Sequence, residues 1–195
     1  MFEDKMLLNR CLRAILLDGK VYKIQSTVHQ PVLQGLIVVL VVSVCFGLGI
    51  RSMPLDLPEI PNNRYSFISS ENLVMAVAIH TLIFGWLIWG LLTWYIGTKL
   101  LNGYASLRAL LSSLGIAYSP GILLILSAIP LNIGTSLVII ARLWILMAAF
   151  VAIAYTEDYR GWWKIKAVIP AVLGWFLVFV ILQRVIFQSL IVPSG

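Results

Sequence analysis

Charge is scarce in this chain. Only 11% of its 195 residues are charged, against roughly a quarter in soluble domains, and the mean hydropathy is +0.97. Asp, Glu, Lys and Arg are absent altogether from residues 24–50, 72–98 and 109–141. So few charges cannot solvate a globular exterior. A bilayer core takes about 20 apolar helical residues to cross. The first two windows are each long enough for one crossing, and the third for most of two. The apolar runs are continuous rather than alternating, which excludes a barrel and leaves helices. No separate soluble domain fits beside them.

Other absences narrow the chemistry. The eight carboxylates all fall in terminal or loop segments, which argues against proton- or sodium-coupled transport through an intramembrane acid. There is no His-Glu-x-x-His and no Cys-x-x-Cys. Gly97-Thr98-Lys99 ends in lysine but lacks the rest of a phosphate loop. Cys11 and Cys45 have no metal-type spacing, and the sequence predicts no disulfide between an N-terminal cysteine and one inside a span. No catalytic residue, metal or cofactor is expected. Arg10 and Arg13 interrupt the first apolar stretch, so no signal peptide is predicted. The net charge of +6 sits beside apolar spans, which points to lipid headgroups rather than nucleic acid.

The remaining pattern predicts an all-α membrane protein of five transmembrane helices with a short N-terminal amphipathic helix. Residues 1–30 form a cytosolic N-terminal segment. Within it, residues 6–18 place Leu8, Cys11, Leu12, Ile15 and Leu16 on one stripe, with Asn9, Arg10 and Arg13 off it. Gly19 is the expected stop. This helix either lies in the headgroup plane or packs on the bundle as a peripheral helix. Residues 31–187 form the five-span bundle, with crossings at 31–50, 73–96, 108–129, 135–155 and 167–187. A proline-rich loop covers 51–71, a tight turn 130–134, and an outer tail 188–195. Gly97, Lys99, Asn102 and Gly103 are expected to break the second span. Pro120 should kink the third. Ten Lys and Arg flank the N-terminal side of the spans and two the other. That puts the N-terminus in the cytosol and the C-terminus outside.

Two polar residues sit within spans. His80 and Arg142 both fall roughly 10–12 Å from the outer boundary at 1.5 Å per residue, and an arginine at the centre of a membrane helix costs about 2.5–3.5 kcal/mol on insertion scales. Either Arg142 snorkels outward while His80 bonds a backbone carbonyl, or the two share a polar pocket with Tyr118, Ser119 or Gln183. A lone intramembrane histidine is more often structural than a tetrapyrrole ligand. Ser113, Ala117 and Gly121 on the third span, and Ala148 and Ala152 on the fourth, form small-residue faces. These serve either the hairpin between the two spans or a homo-oligomer seam.

The stretch Gly103-Tyr104-Ala105-Ser106-Leu107-Arg108-Ala109-Leu110-Leu111 is followed by Leu114-Gly115-Ile116-Ala117-Tyr118-Ser119-Pro120-Gly121. Ile129-Pro130, Ile133-Gly134, Leu143-Trp144 and Ala152-Ile153-Ala154 come after it. Their order and spacing resemble the Ypt-interacting-protein (Yip) domain family in its prokaryotic branch. Leu17-Asp18-Gly19-Lys20-Val21-Tyr22, with Gln34 and Gly35-Leu36, also looks like that branch. The resemblance covers most of the chain and implies a compact bundle of five membrane helices. Eukaryotic relatives bind prenylated Rab-type GTPases and shape membranes; they carry a long polar N-terminus, whereas about 30 residues precede the first span here. For prokaryotic members the family implies a fold and a location rather than an activity.

The expected function is therefore non-enzymatic: organising membrane or holding a protein partner. Arg10, Arg13, Lys99, Arg108, Arg160, Lys164 and Lys166 are the candidate contacts to anionic headgroups, at about 1 kcal/mol each. Expected partners are the bilayer itself, other membrane proteins or a second copy. The alternatives are a permease or transporter subunit using His80 and Arg142, and an accessory subunit of a larger membrane complex.

Overall fold

A computed structural model describes residues 6–51, 75, 77–129 and 132–176. Among them every regular element is helical. In chain order these are α1 (Leu7–Ile15), α2 (Lys20–Gln25), α3 (Pro31–Arg51), α4 (Val77–Leu100), α5 (Leu107–Ala117), α6 (Asn132–Thr156) and α7 (Val168–Trp175). A 3-10 segment, Ser119–Ala128, extends α5, and another, Gly161–Ala167, precedes α7. Four helices are long and apolar enough to cross a membrane: Pro31–Gly49, Val77–Leu100, Leu107–Leu126 and Ser136–Thr156. The expected fifth span starts as α7, and most of its remainder lies outside the described residues. So do the proline-rich loop and the outer tail.

Local chemistry explains most boundaries. α1 ends because Leu17 turns the chain at φ +58°. Gly19, the expected stop, has φ −61° and leads into α2. Its lack of a side chain serves a close approach, since a Cβ there would overlap the Tyr155 ring. Pro31 opens α3, where its missing N–H is no loss. α4 widens to π-type turns at Thr81–Ile88 and Ile96–Leu100, and so runs through Gly97 and Lys99, which were expected to break it. The break comes at Asn102, with φ +57°, a conformation Asn tolerates better than most residues. The Ser106 hydroxyl caps α5 by accepting the Ala109 N–H at 3.2 Å. Pro120 has no N–H to offer the Ile116 carbonyl. That carbonyl takes the Ser119 hydroxyl at 2.6 Å instead, and the helix tightens to 3-10 geometry beyond Tyr118. α6 begins at Asn132, so Asn132, Ile133 and Gly134 are its first turn rather than a loop.

α5 and its extension form the centre. In their most apolar stretch 67% is buried, against 39% in each of the other three long helices. Gly115 meets the backbone of Gly35 in α3, and Gly121 sits between Val42 of α3 and Ile145 of α6. The expected face of Ser113, Ala117 and Gly121 is buried, but it is shared: a Cβ at Gly121 would lie 2.5 Å from Val42 of α3 and 3.0 Å from Ile145 of the hairpin partner α6. α4 joins through the Trp86 indole N–H, which donates to the Leu111 carbonyl at 2.8 Å. The Tyr118 hydroxyl donates to the Gly85 carbonyl, and the Tyr118 ring meets Trp89 edge-on at 6.1 Å.

The polarity of the bundle is turned inside out. Ser43, Thr81, Ser112 and Ser119 are buried and bond back to carbonyls of their own helices. Large apolar residues point outward at helical spacing: Leu33, Ile37, Leu40, Val44 and Leu48 on α3, and Ile79, Ile83, Leu87 and Leu91 on α4. In water such continuous apolar faces would drive association. In hydrocarbon they cost nothing, and small inward residues let the helices close up.

Candidate functional site

The starts of α3 and α5 and the ends of α4 and α6 meet at one end of the bundle. Gly35 lies against Ser112 and Gly115, Gly97 against Glu157, and Lys23 bonds Asp158 at 2.7 Å. This end carries the loops rich in lysine and arginine and is called the basic end below.

At the opposite end the expected pocket forms only in part. The field of Arg142 reaches the His80 imidazole. Both imidazole nitrogens are buried with no hydrogen-bond partner among the described residues, and the ring lies 5.2 Å from that of Phe84. The Arg142 guanidinium sits 5.3 Å over the Phe46 ring, a cation–π contact in place of an acidic partner. Tyr118 and Ser119 do not join them. Their hydroxyls are taken by the Gly85 and Ile116 carbonyls. Gln183 lies outside the described residues.

α1 packs on the flank of the bundle, reaching the middle of α6, in an orientation the sequence did not reveal. Leu8, Leu12 and Leu16 are 72%, 52% and 78% exposed, while Arg10 and Ala14 are fully buried. Arg10 is therefore not among the outward-facing basic residues, contrary to expectation. Its guanidinium donates to the side-chain carbonyls of Gln25 and Gln34. Those amides in turn donate to the backbone carbonyls of Pro31 at 3.0 Å and His29 at 2.9 Å. Burial lowers the Arg10 pKa from its ordinary value, although arginine remains a cation in proteins. The Trp144 indole N–H donates to the Ile15 carbonyl at 2.9 Å and ties α1 to α6.

The other expected headgroup contacts vary. Arg13 pairs with Asp18 at 2.6 Å, a bond that lowers the Asp18 pKa. Lys23, with help from Arg160, does the same for Asp158. Lys164 and Lys166 lie over the rings of Tyr155 and Trp163 at 4.3 and 4.4 Å. Lys99, Arg108 and Arg160 are exposed, as are Trp162 and Trp163.

Glu157 carries no sequence signal. It follows α6 directly, and its N–H closes the last turn onto the Ile153 carbonyl at 2.9 Å. Asp158 then reverses the chain at φ +56°. This aims the Glu157 side chain back under the 101–106 loop, where it is fully buried. One carboxylate oxygen accepts the Ala105 N–H at 3.0 Å; the other has no partner among the described residues. A Cβ at Gly97 or Gly103 would overlap the carboxylate. The same loop is pinned by the Gly103 N–H to the Gly97 carbonyl at 2.8 Å and by the Tyr159 hydroxyl to that carbonyl at 3.3 Å. Burial pushes the Glu157 carboxyl up to about 7, with the Ala105 N–H opposing. Burial, and then the Glu157 charge, push Tyr159 up to about 12. The two glycines stand 54 and 60 positions upstream of Glu157, so no local motif announces the cradle.

Among the described residues no group of three His, Cys, Asp or Glu is placed to hold a metal. No family model, characterised protein or solved structure matches the chain.

Proposed function

We propose that this is a non-enzymatic, Yip-type integral membrane protein of five spans, with its N-terminus in the cytosol, that organises lipid or holds a membrane partner at its basic end. The observation that carries the reading is the reversed amphipathicity of α1. An arginine and an alanine point into the protein, and three leucines point out. A helix in water buries its leucines. A helix that exposes them beside a cluster of cations suits the boundary between headgroups and acyl chains. Exposed Trp162 and Trp163 beside Lys164 and Lys166 support the same level, since indoles and basic side chains favour that zone.

The test is reconstitution into neutral vesicles and into vesicles carrying anionic lipid. Thermal stability of the full chain should rise with anionic content. Replacing Leu8, Leu12 and Leu16 together by serine should weaken that dependence. Equal stability in both vesicles would remove the headgroup reading.

A permease reading has one observation in its favour, the unpartnered His80 nitrogens within the field of Arg142. Replacement of Arg142 by leucine decides between them. If stability, assembly and phenotype are all unchanged, the pocket and with it the permease reading fail.

A further inference from the structure

We propose that Glu157 is a proton-binding latch: its neutral carboxyl holds the 101–106 loop against the end of α6, and loss of that proton to bulk water loosens the loop.

Four features of the geometry carry this. Glu157 is fully buried, the one carboxylate so placed among the described residues. No cation there lies within ion-pairing distance of it. Its cradle is shaped by Gly97 and Gly103, whose missing side chains leave room for the carboxyl and for nothing larger. One oxygen is engaged by the Ala105 N–H and the other by no described residue. A buried carboxylate with one donor and no counter-ion is disfavoured against its neutral acid.

The neighbouring elements do not alter this. Tyr159 is buried beside Glu157 and keeps its proton far above the range in question. Lys23 and Asp158 are paired with each other, and Lys164 is stacked on Tyr155. Lys20, Lys99, Tyr104 and Arg108 are exposed. Relief for the charged form therefore comes from water, and water enters most easily where the backbone is not helical, at residues 101–106. That loop joins α4 to the central α5, so the latch lies at the junction of the bundle's core helices. The inference is independent of which side of a membrane the basic end faces.

The sign follows from the raised value. The closed carboxyl titrates near 7, and a solvated one near its ordinary value of 4.5. Between these limits the closed state holds a proton that the open state has lost, so opening is favoured by up to tenfold per pH unit. Above about 7 the effect levels off. Acid tightens the latch.

The experiment is amide hydrogen exchange on the full chain in detergent micelles, corrected for intrinsic rates, across this range. Protection at Gly103 and Ala105 should fall as pH rises from 4.5 to 7 and then level. Glu157→Gln mimics the neutral acid, and its protection should stay high and flat. A flat wild-type profile, or a Glu157→Gln profile that falls like the wild type, overturns the proposal. If Glu157→Gln fails to fold, infrared titration of wild-type carboxyl groups decides. A protonated-carboxyl band lost near pH 7 supports the latch, and its absence above pH 5.5 overturns it.

Discussion

Gly115→Ala tests the packing at the centre of the bundle. A Cβ at Gly115 would lie 2.7 Å from the Gly35 carbonyl carbon and 2.8 Å from its oxygen. Carbon contacts are most favourable near 3.5–4.0 Å, so α3 and α5 must part by roughly 1 Å. Both neighbours are backbone, and no rotamer change relieves them. Overpacking of this kind costs about 1–3 kcal/mol, and the rigid neighbours put it at the upper end. The change also gains about 1 kcal/mol of helix propensity. The net expectation is a loss of about 2 kcal/mol. Gly35→Ala is the internal control. Its nearest contacts are 3.1–3.3 Å, a misfit of tenths of an ångström that the same propensity gain offsets, leaving stability near that of the wild type. Gly121→Ala falls between, because it meets side-chain ends, Val42 Cγ1 at 2.5 Å and Ile145 Cδ1 at 3.0 Å. Denaturation by titrated sodium dodecyl sulfate from mild detergent micelles, followed by tryptophan fluorescence, ranks the three. If Gly115→Ala is as stable as Gly35→Ala, the α3–α5 backbone contact is not as described.

Tyr118→Phe removes the hydroxyl that Gly85 accepts and should cost about 1 kcal/mol in the same assay; no loss would mean the bond contributes nothing in the folded protein. Gly19→Ala should push α2 off the Tyr155 ring, and with it Lys23 off Asp158; a fluorophore pair placed on α2 and at residue 160 should report a longer distance. Stability in detergent should fall with rising pH between 4.5 and 7 by at most about 1.4 kcal/mol per unit from Glu157. The folded carboxyl binds its proton more tightly than the unfolded one, so its contribution is complete below the window and lost through it. Asp18 and Asp158 titrate below their ordinary 3.8, and their opposite contribution is lost only in stronger acid. A rise in stability across the window would contradict the Glu157 environment.

Helix content and the long apolar elements were legible because hydrocarbon-length runs without charge have few structural solutions. α1 was legible as amphipathic, but its orientation was not. The pattern of Leu8, Leu12 and Leu16 against Arg10 is the same whether the leucines face protein or lipid, and Gln25 and Gln34, which receive the guanidinium, lie 15 and 24 positions away. A glycine near a helix end suggests a stop, but here close packing explains it instead. Gly19 and Gly97 are sites of close approach, and the chain reversals fall to Leu17 and Asn102. His80 and Arg142 were found because charge and imidazole stand out in an apolar run. Glu157 was missed for the opposite reason, since a glutamate just after a span reads as solvated, and only the fold brings Gly97 and Gly103 around it.

The outward leucines, isoleucines and valines require acyl chains as their solvent. Washing native membranes with alkaline carbonate and then with detergent measures this directly. The protein should stay in the membrane pellet through carbonate and leave only with detergent. Release into the carbonate supernatant would contradict it.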